Sequence, residues 1–452
     1  MVRTIVASLS RPVDIASLVF ARVAFGLLML WEVWRYFKYD RIYRYWIEPD
    51  FHFTYPGFDW LSPLSGDGMY WLFIGLGVLS ILIILGFFYR IAATLFFIAF
   101  TYTFLLEQGR YLNHFYLVCL LSFLLIFLPA HRSTSLDTWF GFTKKSDTTP
   151  AWSLWILQFQ MAVVYFFGGI AKIDKDWLAG QPLRDWLGGC SNYPIIGKYM
   201  TSEPVVHSLA WGGMLFDLLI PFLLLWKRTR MVAFLAAVGF HVANMVLWNI
   251  GIFPWLAIAM TALFFDPSWP RKFFRLPLFG TSFPPSGYAK KTVVASLVAA
   301  YCFAQIVIPL RHHFIPGDVS WTEDGHRFSW RMKLRSRDGK TDFHVVEKKT
   351  GRVEKVDPRD HLERWQVGKM DTNPDMMLQF ARKLEREYKQ ANRGEIAVHA
   401  RSAVSVNGRP EQDYFPLSVD LTEVSRMTPR FTWLNEFDDA PNFGLEQSLV
   451  LD

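Results

Sequence analysis

Apolar runs long enough to cross a bilayer recur through the first 310 of this chain's 452 residues, each bounded by charges, and nothing else in the sequence narrows the fold as much. A membrane-spanning helix needs about 20 mostly apolar residues, because a bilayer offers no water to satisfy an open backbone. Such runs fall at about 15–36, 69–88, 91–107, 111–129, 152–171, 206–226, 231–247, 250–265 and 292–310. The eighth is short and carries Pro254. Composition agrees: 52% of residues are hydrophobic and 17% aromatic, too apolar for a chain whose whole surface is hydrated. The opening "MVRTIVASLSRPVDIASLVF" lacks a compact apolar core followed by a small-residue cleavage site, so the first span is expected to stay uncleaved.

Orientation follows from the loops. Arg90, the Arg132/Lys144/Lys145 segment, "KRTR" at 227–230 and the stretch from Arg271 to Lys291 share one face with Arg3 and Arg11. The positive-inside tendency makes that face, and the N-terminus, cytoplasmic. The net charge of +7 is read as topology and not as nucleic-acid affinity, since no basic repeat accompanies it. An odd number of spans then puts the polar C-terminal third of the chain on the extracytoplasmic face, although Lys38, Arg41 and Arg44 on that face moderate the asymmetry. The expected organisation is a mainly α polytopic membrane domain of about nine helices over 1–310, then a smaller soluble domain of mixed α/β type over 311–452.

In the soluble part, "RFSWRMKLRSR" alternates as a strand does and runs into "DGK", and "TDFHVVEKKTGRVEKV" predicts two strands joined at Thr350-Gly351. Asn373 as a cap and Pro374 at the first helical position predict a helix over 374–391, with Met377, Phe380, Ala381, Leu384 and Tyr388 on one face. "EIAVHARSAVSVNGR" and "YFPLSVDLTEV" read as further strands, with Asn407-Gly408 as a turn. Cys119, Cys190 and Cys302 are widely spaced, which fits small buried hydrophobes better than a disulfide framework or a metal set.

Charge inside a span has to be paired, snorkel to the interface, or work in a wet cavity. Arg22 and Glu32 lie about three turns apart in the first span and are expected to pair with other helices; Gln158, Gln160 and Asp217 are expected to make helix-packing hydrogen bonds. His114 and His241 each have an asparagine within a turn, Asn113 and Asn244, which leaves both a structural and a pocket-lining reading open. Lys172 stands out in "VVYFFGGIAKIDKDWL". A snorkelling lysine is the plain alternative. Against it, Gly168-Gly169 permit close approach by a helix or ligand, and Asp174, Lys175 and Asp176 already form a polar border. A lysine on the dry side of that border is partly desolvated, which moves an amine toward the range of a general base.

The stretches "YLNHFYLV", "YFFGGIAKIDKDWLAG", "FHVANMVLWNIGIF" with "DPSWPRK" after it, and "HRFSWRMKLRSR" followed by "TGRVEKVDP" resemble vitamin K-dependent gamma-carboxylase, within the group sharing a horizontally transferred transmembrane domain, and the resemblance runs from about Asp14 to Val424. It implies an integral membrane enzyme that oxygenates vitamin K hydroquinone to its epoxide, a reaction that generates a base strong enough to take the γ-proton of a glutamyl side chain for capture of carbon dioxide. Dioxygen and carbon dioxide are the implied co-substrates, with no metal. By the same resemblance the catalytic lysine falls on Lys172, the Asn-His pair on Asn113 and His114, and a later histidine on His241; Asn244, Gln160 and Tyr165 join Asn113 as candidate substrate-binding residues.

Departures from the family concern the peptide half. Where the family has a tyrosine-bearing stretch associated with the glutamate site, this chain has "EKVDP", Glu354 to Pro358, with Lys355 at the tyrosine's place. The cysteines of the family's expected disulfide are absent, and animal members continue beyond this length. The expected partners are the bilayer, a reduced naphthoquinone and a glutamate-containing peptide or protein. Two other classes stay open: a transporter or scaffold that binds a quinone or lipid without turnover, and a quinone-linked oxidoreductase that forms no epoxide.

Overall fold

The computed structural model describes residues 2–194, 196–248, 250–284 and 287–440; the end of the expected soluble domain, 441–452, lies outside the described residues. Each expected apolar run folds as a helix. A short α1 (Val2–Ser10), not foreseen from run length, precedes α2 (Ala16–Lys38), α3 (Gly68–Leu85), α4 (Tyr89–Leu105), α5 (Asn113–Phe127), α6 (Trp152–Ile170), α7 (Glu203–Leu225), α8 (Arg230–Trp248), α9 (Phe253–Thr261) and α10 (Tyr288–Leu310). Six of them, α2, α3, α6, α7, α8 and α10, are long and apolar enough to cross a membrane, whereas α4, α5 and α9 are shorter apolar helices. Length and composition thus support six crossings outright, fewer than the nine expected. Pro254 sits in the first turn of α9, where the missing N–H has no intrahelical partner to lose.

The helix ends gather on two faces. On one, β1 (Pro12–Asp14) pairs antiparallel with β2 (Thr148–Pro150), Arg271 holds Asp14 at 2.9 Å, and Asp137 accepts from Phe88 N and Tyr89 N at 2.8 and 3.1 Å. Gly86 closes α3 at φ +62°, and a Cβ there would stand 2.5 Å from Arg22 Nη1, so both conformation and space call for glycine. On the opposite face the loops after α2 and α4 meet the soluble domain: Thr54 N donates to Gln379 Oε1 at 2.9 Å, and Gln108 Nε2 to Asp375 Oδ2 at 2.7 Å.

The soluble domain is a four-stranded antiparallel sheet in the order β4-β3-β5-β6, from β3 (Arg337–Glu347), β4 (Val353–Val356), β5 (Ile396–Val406) and β6 (Gln412–Asp413). Thr341, Phe343 and Val345 alternate inward, and Phe343 meets Phe380 of α11 (Pro374–Gln390) at 4.8 Å between ring centroids. The expected Asn373 cap accepts from Met376 N at 3.3 Å, and the Asn407-Gly408 turn is left-handed at both residues.

Two local expectations are corrected. The 327–336 segment is irregular, with positive φ at Phe328, Trp330 and Lys333. Its buried Trp330 and half-buried Phe328 pack on the membrane domain, each meeting Tyr116 at 5.0 Å. Asp338, Gly339 and Lys340 belong to the start of β3, facing Ser405, Val404 and Ala403 of β5. "YFPLSVDLTEV" forms no strand: Pro416 lacks a ladder donor, and Tyr414, Phe415 and Leu421 are buried in the domain core.

Candidate active site

Lys172 lies in the turn that ends α6. Its Nζ donates to Gly168 O at 3.1 Å, satisfying one of the carbonyls a helix leaves open at its end, and stands 2.6 Å from Asp217 Oδ2 on α7. The Trp177 ring lies 5.4 Å from the ammonium. Both members of the pair are buried, at 6% and 4% exposure. Close helix approach makes this reach short. A Cβ on Gly169 would stand 2.7 Å from Leu218 N, so only glycine lets α7 come this near. Asp217 makes an interhelical hydrogen bond of the kind expected of it, and its partner is Lys172, a pairing the sequence did not indicate. An acid and a base facing each other from two spans satisfy the rule that charge in a membrane pairs.

A second polar chain runs beside the first. Tyr165 OH lies 2.7 Å from His241 Nε2 on α8 and 3.0 Å from Thr261 Oγ1 at the end of α9. His241 Nδ1 is buried with no hydrogen-bond partner among the described residues. Phe253 joins the two histidines, its ring 5.6 Å from that of His241 and 6.2 Å from that of His114. His114 also packs on Phe115 at 4.6 Å. Asn113 accepts from Tyr111 OH at 2.9 Å and reaches Arg331 O at 3.4 Å, while Trp330 O and Met332 lie against Gly168. The irregular 328–332 segment thus descends from the soluble domain between α5 and the end of α6, and Asn113 and Lys172 stand on either side of it.

Other expected site residues lie apart. Gln160 accepts from Tyr301 OH at 2.5 Å and bridges α6 to α10. Asn244 donates to Phe240 O of its own helix at 2.9 Å. Lys355 is on edge strand β4, 62% exposed, and pairs with Asp342 at 3.1 Å. Arg22 donates to Ala130 O and Thr134 O at 2.8 and 2.6 Å, while Glu32 pairs with Arg35 of its own helix and with Arg41 just past its end, not with other helices. Gln158 donates to Leu263 O at 2.7 Å, the packing bond expected of it. Thr261 carried no sequence signal; Phe253 and the 328–332 segment lie within stretches that carry the resemblance, but nothing in them marked these positions as site residues.

Two polar contacts tie the soluble domain to this region. Arg409 grips Asp176 with both terminal nitrogens, at 2.6 and 2.7 Å, and Asn407 Nδ2 adds a bond at 2.8 Å, which fixes the turn just after Lys172. Glu107, after α4, accepts from Phe53 N at 3.1 Å, Gly109 N at 2.8 Å and Gln366 Nε2 at 3.2 Å; burial pushes its carboxyl up to about 7.

The arrangement joins a buried acid–base pair to two imidazoles among aromatic rings, at the end of the bundle that the soluble domain covers. The sequence matches the HTTM domain family over residues 10–269 and the lumenal domain of vitamin K-dependent gamma-carboxylase over residues 290–440. No solved structure matches the chain. The two matches fall in order on the helical part and on α10 with the sheet domain, and the lumenal description makes the sheet domain extracytoplasmic. The chain belongs to the vitamin K-dependent gamma-carboxylase family.

Proposed function

We propose that the protein oxygenates a reduced naphthoquinone of the vitamin K class to its epoxide, with Lys172 as the base that takes the hydroquinone's first proton. The observation that carries this reading is the Lys172–Asp217 pair, buried at 2.6 Å at the end of the helix that also carries Tyr165, the partner of His241. A flat aromatic diol suits the surroundings. Tyr165, Phe253 and Phe115 supply apolar faces, and His241 Nδ1 is a buried ring nitrogen still open to a partner. The base form of the pair, neutral Lys172 beside ionised Asp217, takes the hydroquinone's hydroxyl proton and becomes the ammonium–carboxylate ion pair, while the negative charge passes to the quinolate oxygen, which the imidazoles have to stabilise. His114 and His241 hold the two oxygen-bearing ends, and Tyr165 with Thr261 fixes the His241 ring.

Carboxylation of glutamate asks more. A γ-proton beside a carboxylate is too weakly acidic for any side-chain base, so the acceptor has to lie against the oxygenated quinone, and misplacement by about an ångström can cost roughly 10²-fold. Here the residue at the glutamate-associated stretch, Lys355, sits on the exposed edge of the sheet domain, paired with Asp342. The protein is therefore proposed to make epoxide readily and to carboxylate animal-type glutamate substrates poorly. Incubation with reduced vitamin K, air, labelled bicarbonate and a glutamate peptide, free or fused to a propeptide, tests both halves. Epoxide without label is expected. Efficient labelling stimulated by the propeptide would overturn the second half, and absence of epoxide the first, leaving a binding or electron-transfer role.

A further inference from the structure

A cavity of about 860 Å³ lies between the loop after α2 and the soluble domain, within the range of about 300–1,000 Å³ typical of small-molecule sites. Its floor is made where the chain leaves the membrane helices: Trp46 and Ile47 beyond α2, and Gly66 just before α3. Its roof is α11, through Arg382 and Arg386, which share a face because they are four residues apart. Trp60 on the same loop is 76% exposed and Trp71, in the first turn of α3, 68%. Exposed tryptophans at helix ends mark the level of lipid headgroups.

Charge in the wall is unevenly spent. Arg426 is committed to Asp59 and Asp375. Arg382 gives one terminal nitrogen to Val424 O. Among the described residues, its buried Nε has no partner, Arg386 makes no hydrogen bond or ion pair, and the buried His52 Nε2 is unpaired. Asp50 is the opposing wall carboxylate that Arg426 does not neutralise. Burial holds the His52 imidazole down to about 4, so near neutral pH it adds a hydrogen-bonding group and no charge. A buried guanidinium N–H without an acceptor is costly, and a tetrahedral anion would serve both arginines at once.

We propose that this cavity is a phosphate-binding site for the headgroup of an anionic phospholipid of the extracytoplasmic leaflet, held by Arg382 and Arg386. The site is independent of the reaction assigned to Lys172. Its test is saturable binding of fluorescently tailed phosphatidylglycerol to the full chain in neutral detergent, with inorganic phosphate as competitor. R382Q/R386Q is expected to bind at least tenfold more weakly, because two charge-assisted donors are removed; K349Q/R352Q, on the β3–β4 turn and outside the cavity lining, should bind as the parent does. R386Q alone removes an exposed, unpartnered side chain and is safe for folding; it should weaken binding about threefold or more. Competition by millimolar phosphate, with the same loss in R382Q/R386Q, would support the anion site and overturn the lipid as its source. Absence of saturable binding, or an equal loss in K349Q/R352Q, would overturn the proposal.

Discussion

At the scale of residues, the account turns on Lys172 and Asp217. Breaking a buried ion pair leaves an uncompensated charge and costs roughly 3–5 kcal/mol, whereas replacing both members with apolar groups of similar volume can be nearly neutral. Lys172→Met and Asp217→Leu are each expected to lower the thermal midpoint by several degrees, and the double variant to recover most of that loss while forming no epoxide. Additive losses in a melting series would show that the pair at 2.6 Å is not a coupled unit. Lys172, His114 and His241 stood out in the sequence as polar groups in apolar runs, while their roles came only from the family resemblance. The pairing was not legible. It joins residues 45 apart on two helices, and hydrophobic periodicity says which side of a helix is apolar but not how two apolar helices are rotated against each other.

At the scale of elements, helices were legible through length and turn chemistry through Asn373-Pro374 and Asn407-Gly408, whereas 327–336 was misread. Alternation reports that residues share a face, and the face here meets Tyr116 in the membrane domain instead of a neighbouring strand. The glycine pair offers a sharp contrast. A Cβ on Gly169 would meet the Leu218 backbone at 2.7 Å; one on Gly168 would meet the flexible end of Met332 at 3.3 Å, Asp217 Oδ2 at 3.5 Å and Trp330 O at an ordinary 4.0 Å. Overpacking against backbone costs about 1–3 kcal/mol, so Gly169→Ala should lower the midpoint by several degrees and activity by about tenfold or more as α7 is pushed from Lys172. Gly168→Ala should keep most of the stability. The reverse order in paired melts and assays would contradict the described α6–α7 contact.

At the scale of the whole molecule, the two faces make topology testable. After replacement of the three native cysteines, a cysteine at Lys349 is expected to label from the extracytoplasmic side and one at Lys227 only after permeabilisation; labelling of both from one side would refute the arrangement. The joint between the domains carries a pH dependence. Glu107 is raised from 4.5 to about 7 by burial, so between those values the folded protein holds a proton that the unfolded chain has lost. Its contribution is fully present below about pH 4.5 and is lost as pH rises through 7, a change of roughly 3 kcal/mol. Glu107→Gln should flatten the midpoint-versus-pH curve over that interval; an unchanged slope would assign the dependence elsewhere.

The most direct test of the central claim is epoxide formation by Lys172→Ala, well folded and membrane-inserted, with and without small primary amines. Removal of a general base costs about 10²–10⁴-fold, so the account predicts a loss of that size, recovered in part by added amines small enough to enter beside Asp217. Wild-type rates in the folded variant would contradict it.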